Sequence, residues 1–240
     1  MAASPIDSAH ALGAYHRDHI ADCTDCPLHA TRTQAVPGSG NPNADIMFVG
    51  EAPGYHEDRL GVPFVGQAGK LLDQLLDGIG LRREDVFIAN VLKCRPPENR
   101  DPQPAEIDAC QQHLFRQIAI IRPRVICTLG NFATKLLSGR PDGISRVHGC
   151  ELGLPIGGMQ TVLYPLYHPA AALYMPAMRS VLQEDFARIP GLVAGVADRD
   201  AASGSGPEPG RGADVVPSRD PDREAARAET PAEPSQLGLF

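Results

Sequence analysis

The chain has no run of about 18 consecutive apolar residues, the length a helix needs to cross a bilayer, so no membrane-spanning helix is expected. Its first residues, MAASPIDSAHALGAY, lack the basic-then-apolar layout of a secretory signal, which predicts a protein that stays in the cytoplasm. Basic charge is also short: 22 Lys and Arg against 29 Asp and Glu leave a formal charge of -7. Phosphate binding draws on clustered Lys and Arg that release counterions, so this balance argues against a non-specific nucleic-acid coat and leaves room for a small basic groove. No internal repeat is present. Cysteines number six, and in a compartment that keeps thiols reduced they read as metal ligands or free thiols rather than as disulfides.

What is present suffices for a core, with 42% of the 240 residues hydrophobic. Four apolar runs predict strands at Asp45 to Val49, Val86 to Asn90, Val125 to Leu129 and Thr161 to Leu166. Helical spacing separates them. Leu71, Leu72, Leu75, Leu76 and Ile79 follow the first run, and Ile107, Leu114 and Ile118 mark a helix over Pro104 to Ile121 after the second. Asn131 to Leu137 is a short helix candidate after the third. The alternation predicts an α/β fold, a parallel sheet with helices on both faces and a ligand site at the carboxyl ends of the strands. After about Val196, Ala, Gly, Pro, Ser and charged residues take over, a composition that cannot bury enough apolar surface to offset its ordering entropy. The expected organisation is a catalytic domain over 1–195, a disordered linker over 196–235 and a terminal peptide over 236–240.

Chemistry concentrates where the strands end. The first runs into Gly50-Glu51-Ala52-Pro53-Gly54, then Glu57-Asp58, then Gly61-Val62-Pro63-Phe64-Val65-Gly66-Gln67-Ala68-Gly69. Glycines on both sides let the backbone approach a ligand closely. Phe64, between Pro63 and Gly66, is placed as a platform for a flat base, and such stacking contributes ~1–3 kcal/mol. The plain alternative is a phenylalanine lid over the core. The second strand ends in Asn90-Val91-Leu92-Lys93-Cys94, and a primary amide both donates and accepts, matching the O4 and N3–H edge of uracil while cytosine presents the opposite pattern. The fourth leads into Tyr167-His168-Pro169, so His168 reaches the same end of the sheet.

These elements, in this order, resemble the iron–sulfur branch of the uracil-DNA glycosylase superfamily over roughly Cys23 to Ile189. The resemblance implies a four-stranded parallel sheet and hydrolysis of the N-glycosidic bond of deoxyuridine in DNA, with release of uracil. It implies that Phe64 stacks on uracil, Asn90 reads its polar edge, Ala52 and Glu57 join the substrate-binding set with Glu57 helping to close the pocket, and His168 contacts O2. Related glycosylases carry an aspartate where this chain has Ala52, so Glu51 becomes the nearest carboxylate for water activation. Asn99 is a further candidate for positioning water or substrate. Thymine is expected to be excluded around C5 by the Gly54 to Glu57 segment. Ala170 to Tyr174 resembles a loop that enters the minor groove, with Leu173 as the wedge; the alternative is that Leu173 packs under its own loop.

Cys23 and Cys26 form a C-x2-C pair, Cys94 follows the second strand and Cys110 lies in the next helix. Four thiolates suit a 4Fe-4S cluster or a tetrahedral zinc, and spacing does not choose between them. The resemblance implies the iron–sulfur cluster; the role expected for it is structural, pinning the N-terminal segment and the loop bearing Arg95 and Arg100 near the DNA. Cys127 and Cys150 read as ordinary reduced thiols. The chain ends Gln236-Leu237-Gly238-Leu239-Phe240, which resembles a sliding-clamp-binding peptide on a flexible string. A monomer acting on uracil-containing DNA in the cytoplasm, at the nucleoid, is the expectation. Two rivals are a uracil-DNA trapping protein, whose histidine-bearing KRRIH insertion is missing between Cys94 and Pro104, and a non-catalytic DNA-binding adaptor with a four-cysteine zinc site.

Overall fold

The computed structural model describes residues 5–156 and 158–203. In chain order its elements are α1 (Pro5–Tyr15), β1 (Ser39–Gly40), β2 (Ile46–Gly50), α2 (Tyr55–Leu60), α3 (Gln67–Asp77), β3 (Phe87–Asn90), α4 (Pro104–Ile121) and β4 (Val125–Leu129). There follow α5 (Asn131–Ser138), α6 (Ile144–Val147), β5 (Leu152–Ile156), β6 (Met159–Leu166), α7 (Pro169–Ala172), α8 (Pro176–Ala187) and α9 (Ile189–Ser203). Among the described residues no helix is long and apolar enough to cross a membrane.

The strands β2, β3 and β4 are buried along their whole length, which requires cover on both faces. Side-chain alternation along β2 supplies both. Phe48 joins one core with Leu72 and Leu76 of α3, Leu182 and Phe186 of α8, and Leu192 of α9. Met47 and Val49 join the opposite core with Leu114 and Ile118 of α4, Ala133 and Leu137 of α5, and Leu12 of α1. Phe48 and Phe186 stack with ring centroids 5.6 Å apart. At the start of α4, Pro104 occupies the first helical turn, where its missing N–H costs nothing, and Glu106 accepts from the Gln103 N–H at 2.8 Å. Arg100 closes this corner with two bonds to the Glu106 carboxylate, at 2.9 and 2.6 Å.

The expected four-stranded parallel sheet is the middle of a larger mixed one. Its order is β1-β3-β2-β4-β6-β5; the four central strands run parallel and the two edges antiparallel. The edges leave little sequence signal. Strand β1 is only Ser39–Gly40, and β5 carries Gly153 and Pro155, residues depleted in strands and tolerated at an edge. A second correction concerns the end of the folded domain. Helix α9 continues through Ser203 and buries Val196, beyond the expected boundary at 195, because Leu192 and Val196 lie four residues apart on its inner face. The rest of the expected linker and the terminal peptide Gln236 to Phe240 lie outside the described residues.

Candidate active site and four-cysteine cavity

Parallel pairing carries the ends of β2, β3 and β6 to one side of the sheet, where Asn90, Phe64 and His168 lie together. Gly50 forms the floor. A Cβ on it would stand 2.5 Å from Asn90 Oδ1 and 2.6 Å from Phe64 Cζ, so only glycine lets the amide and the ring close over the strand end. Asn90 is 2% exposed and its Oδ1 has no hydrogen-bond partner. Buried acceptors are almost always satisfied, so an orphan at a strand end, beside an aromatic ring, points to a ligand.

Phe64 is held in a costly conformation. Its φ is 53°, the left-handed region, which costs a residue with a Cβ roughly 1–2 kcal/mol. Three groups impose it. Glu57 Oε1 accepts from the N–H groups of Val65 and Gly66, each at 2.9 Å. Arg83 donates to the Pro63 carbonyl at 3.0 Å, to the Phe64 carbonyl and to Asp73. Gly69 admits the Phe64 carbonyl so closely that a Cβ there would lie 1.8 Å from it. The Phe64 ring thereby faces His168, with centroids 5.6 Å apart and planes inclined by 30°.

His168 caps α7, its Nδ1 accepting from the Ala170 N–H at 3.1 Å. An accepting Nδ1 places the ring proton on Nε2. Burial pushes the imidazole down to about 4, with Glu57 pulling weakly the other way, so the ring is neutral at pH 7 and presents an Nε2–H donor. Glu51 is partly buried just past β2; burial raises its carboxyl to about 7 and Asp101 adds to the shift. Ala52 is partly buried against the core on the α4 side. Asn99 is exposed, with φ 55°, and its Oδ1 accepts from Arg95 Nε at 2.7 Å, so the structure pairs it with Arg95 rather than with Asn90 or His168. Arg95 and Arg59 in turn lie over the Tyr55 ring, at 5.3 and 5.6 Å from its centroid. Leu173 sits exposed where α7 meets α8, followed by the more exposed Tyr174 and Met175.

Cys23, Cys26, Cys94 and Cys110 line one cavity with Lys93, His29 and His113. Donors aim at two of the sulfurs and an imidazole nitrogen faces a third. Arg32 Nη1 lies 3.1 Å from Cys94 Sγ, the Lys93 N–H donates to Cys110 Sγ at 3.3 Å, and His113 Nε2 is 3.4 Å from Cys23 Sγ. Such donors suit thiolates, whereas burial pushes the unligated thiols up, that of Cys110 to about 11. The donor set therefore fits a group that takes four thiolates at once. Cys127 lies fully buried in β4, and Cys150 is exposed. Lys93, Arg83 and Tyr55 were not among the expected site residues. Arg83 and Lys93 act through main-chain oxygens, which leave no mark on the residue pattern.

The profile of the Uracil DNA glycosylase superfamily matches residues 37–188, which hold every pocket residue described above. The chain belongs to that superfamily. It is 51% identical over 174 residues to the Type-4 uracil-DNA glycosylase of Archaeoglobus fulgidus, covering 71% of this chain and 87% of the relative. Identity to the Type-4 uracil-DNA glycosylase of Sulfurisphaera tokodaii is 49% over 178 residues, or 72% and 81% of the two chains. The Type-4 uracil-DNA glycosylase of Thermotoga maritima is 45% identical over 171 residues, 70% of this chain and 88% of its own. Within the superfamily, then, similarity runs strongly to Type-4 uracil-DNA glycosylases.

Proposed function

We propose that this chain is a uracil-DNA glycosylase that hydrolyses the N-glycosidic bond of deoxyuridine in DNA, releasing uracil and leaving an abasic site. The unpartnered Asn90 Oδ1 at the floor of the pocket carries the reading. It accepts from uracil N3–H while the amide nitrogen donates to O4; cytosine offers an acceptor at N3 and a donor at C4 and is refused. A base between the Phe64 and His168 rings would need about 7 Å, two van der Waals contacts, and the centroids are 5.6 Å apart. Uracil therefore stacks on Phe64 beside His168 and presents its O2 edge to the Nε2–H.

As the bond from C1′ to N1 stretches, the sugar gains positive charge and the uracil oxygens gain negative charge. The His168 donor meets that charge in the transition state, an effect of ~2.7–4 kcal/mol for one well-placed donor. Being neutral, the ring donates without handing over a full proton, and uracil leaves as a stabilised anion. Glu51, titrating at about 7, is half ionised at neutral pH. Its carboxylate takes a proton from the water that adds to C1′ and opposes the positive charge on the sugar. Glu57 acts by fixing the Phe64 loop, and Asn99 by holding Arg95 at the rim. Leu173, with Tyr174 and Met175, fills the gap that the flipped nucleotide leaves.

Cys23, Cys26, Cys94 and Cys110 would hold the 4Fe-4S cluster of this branch. When bound, the cluster would supply the irons through which the four cysteine thiolates cross-link the segment after α1 to the end of β3 and to α4, with no redox step in the hydrolysis. The enzyme acts as a cytoplasmic, nucleoid-associated monomer whose domain ends in α9, and Gln236, Leu237, Leu239 and Phe240 dock on the sliding clamp. Release of free uracil from a uracil-containing oligonucleotide tests the activity, alongside folded His168→Ala and Asn90→Ala proteins. Multiple turnovers suppressed by both substitutions are expected; tight binding with no release would replace the proposal by a trapping protein.

A further inference from the structure

Lys93 stands between the pocket and the cysteine cavity and takes part in no step derived above. It lies one residue before Cys94 and is 2% exposed. Its ammonium donates to the Asn90 main-chain oxygen and to Gln117 Oε1, both at 2.7 Å, and its own N–H donates to Cys110 Sγ at 3.3 Å. Gln117 is itself anchored, donating to the Pro37 carbonyl at 2.6 Å. Both acceptors of the ammonium are neutral, and among the described residues no carboxylate bonds to it. A buried ammonium is strongly unfavourable unless an anion faces it. The cavity that Lys93 lines with the four cysteines is where that anion belongs, since four thiolates around a 4Fe-4S core leave a net negative group.

Resting on the function proposed above, we propose that Lys93 is a positioning residue that ties the uracil-reading Asn90 to the cluster. Cluster charge holds the ammonium, and the ammonium holds the Asn90 backbone, which sets where the amide sits beneath Phe64. This gives a structural cluster a direct bearing on base recognition: loss of the Lys93 ammonium loosens Asn90 and leaves the four cysteines and Arg95 at the rim in place.

The test compares wild-type holoprotein with Lys93→Met in iron content, cluster midpoint potential, affinity for abasic-site DNA and single-turnover uracil release. Loss of a bond from a charged donor should lower release about ten-fold or more. Abasic-DNA affinity should stay unchanged. The midpoint potential should move to a more negative value, because a nearby positive charge favours the reduced cluster. A Lys93→Met protein matching wild type in iron, potential and release overturns the proposal. If Lys93→Met does not retain iron, Gln117→Leu decides, since it removes one acceptor and leaves every cysteine in place: several-fold slower release with iron retained supports the tie, and wild-type release overturns it. Wild-type protein without iron or without uracil release would instead overturn the parent reading.

Discussion

Glu51→Gln separates what this residue does for the fold from what it does for the reaction. Burial, with Asp101 adding, raises the Glu51 carboxyl from 4.5 to about 7 in the folded protein. Below pH 4.5 the group is protonated in both folded and unfolded chains and makes no difference to stability. Between 4.5 and about 7 the unfolded chain releases the proton first, so wild-type stability falls as pH rises, and above about 7 the penalty is complete. At ~1.36 kcal/mol per pH unit the full penalty is about 3 kcal/mol, and partial solvent access reduces it to about 2 kcal/mol. Glutamine has nearly the same shape and cannot ionise. Its midpoint of thermal unfolding should exceed wild type by roughly 4–8 °C at pH 8 and match it at pH 4. Uracil release should fall by ~10²–10⁴, the usual contribution of a general base. Wild-type release should rise with pH through about 7, with no second inflection near neutrality, because His168 titrates at about 4. Thermal scans at both pH values and single-turnover release from a labelled oligonucleotide measure these effects. An equal stability difference at pH 4 and pH 8, or a Glu51→Gln protein that releases uracil at the wild-type rate, would refute the reasoning.

Gly50→Ala puts a methyl 2.5 Å from Asn90 Oδ1 and 2.6 Å from Phe64 Cζ; a shift of reacting groups by about 1 Å costs ~10²-fold in rate, and single-turnover release at the wild-type rate would contradict the close packing described. Arg83→Met frees the Phe64 carbonyl and should raise KM and lower kcat together, with Arg83→Lys recovering part of the loss; identical kinetics for Arg83→Met and wild type would show that Glu57 and Gly69 suffice. Phe186→Ala removes the ring stacked on Phe48 and should cost ~3–5 kcal/mol in denaturant unfolding. Deleting Gln236 to Phe240 should abolish clamp binding in a pull-down and leave release from short oligonucleotides intact, an outcome that retained clamp binding would reverse.

The parallel middle of the sheet and the order of its loops were legible along the chain because each is coded locally. An apolar run long enough to be buried on both faces, followed at once by Gly50-Glu51, Asn90 or His168, marks both a strand and the chemistry at its end. The same locality explains the four cysteines, whose side chains themselves would be the ligands. The edge strands escaped notice because pairing, not pattern, makes them: Ser39 and Gly40 become a strand only by lying against Ile88 and Phe87. Helix α9 runs past the change in composition because Val196 finds a core that the composition of its own segment does not announce.

What the amino-acid sequence alone determined was the set of strand ends and the residues placed on them. Tertiary structure decided which of these residues meet and in what state. Asn99 turned to Arg95, while Phe64 took a left-handed turn imposed by Glu57, Arg83 and Gly69. The ionisation of Glu51 and His168 and the neutral partners of Lys93 likewise depend on groups brought near by folding rather than by chain order. Local pattern fixes which face of a strand or helix is apolar, but desolvation and hydrogen bonds to main-chain oxygens depend on distance in space, which only the packed chain defines.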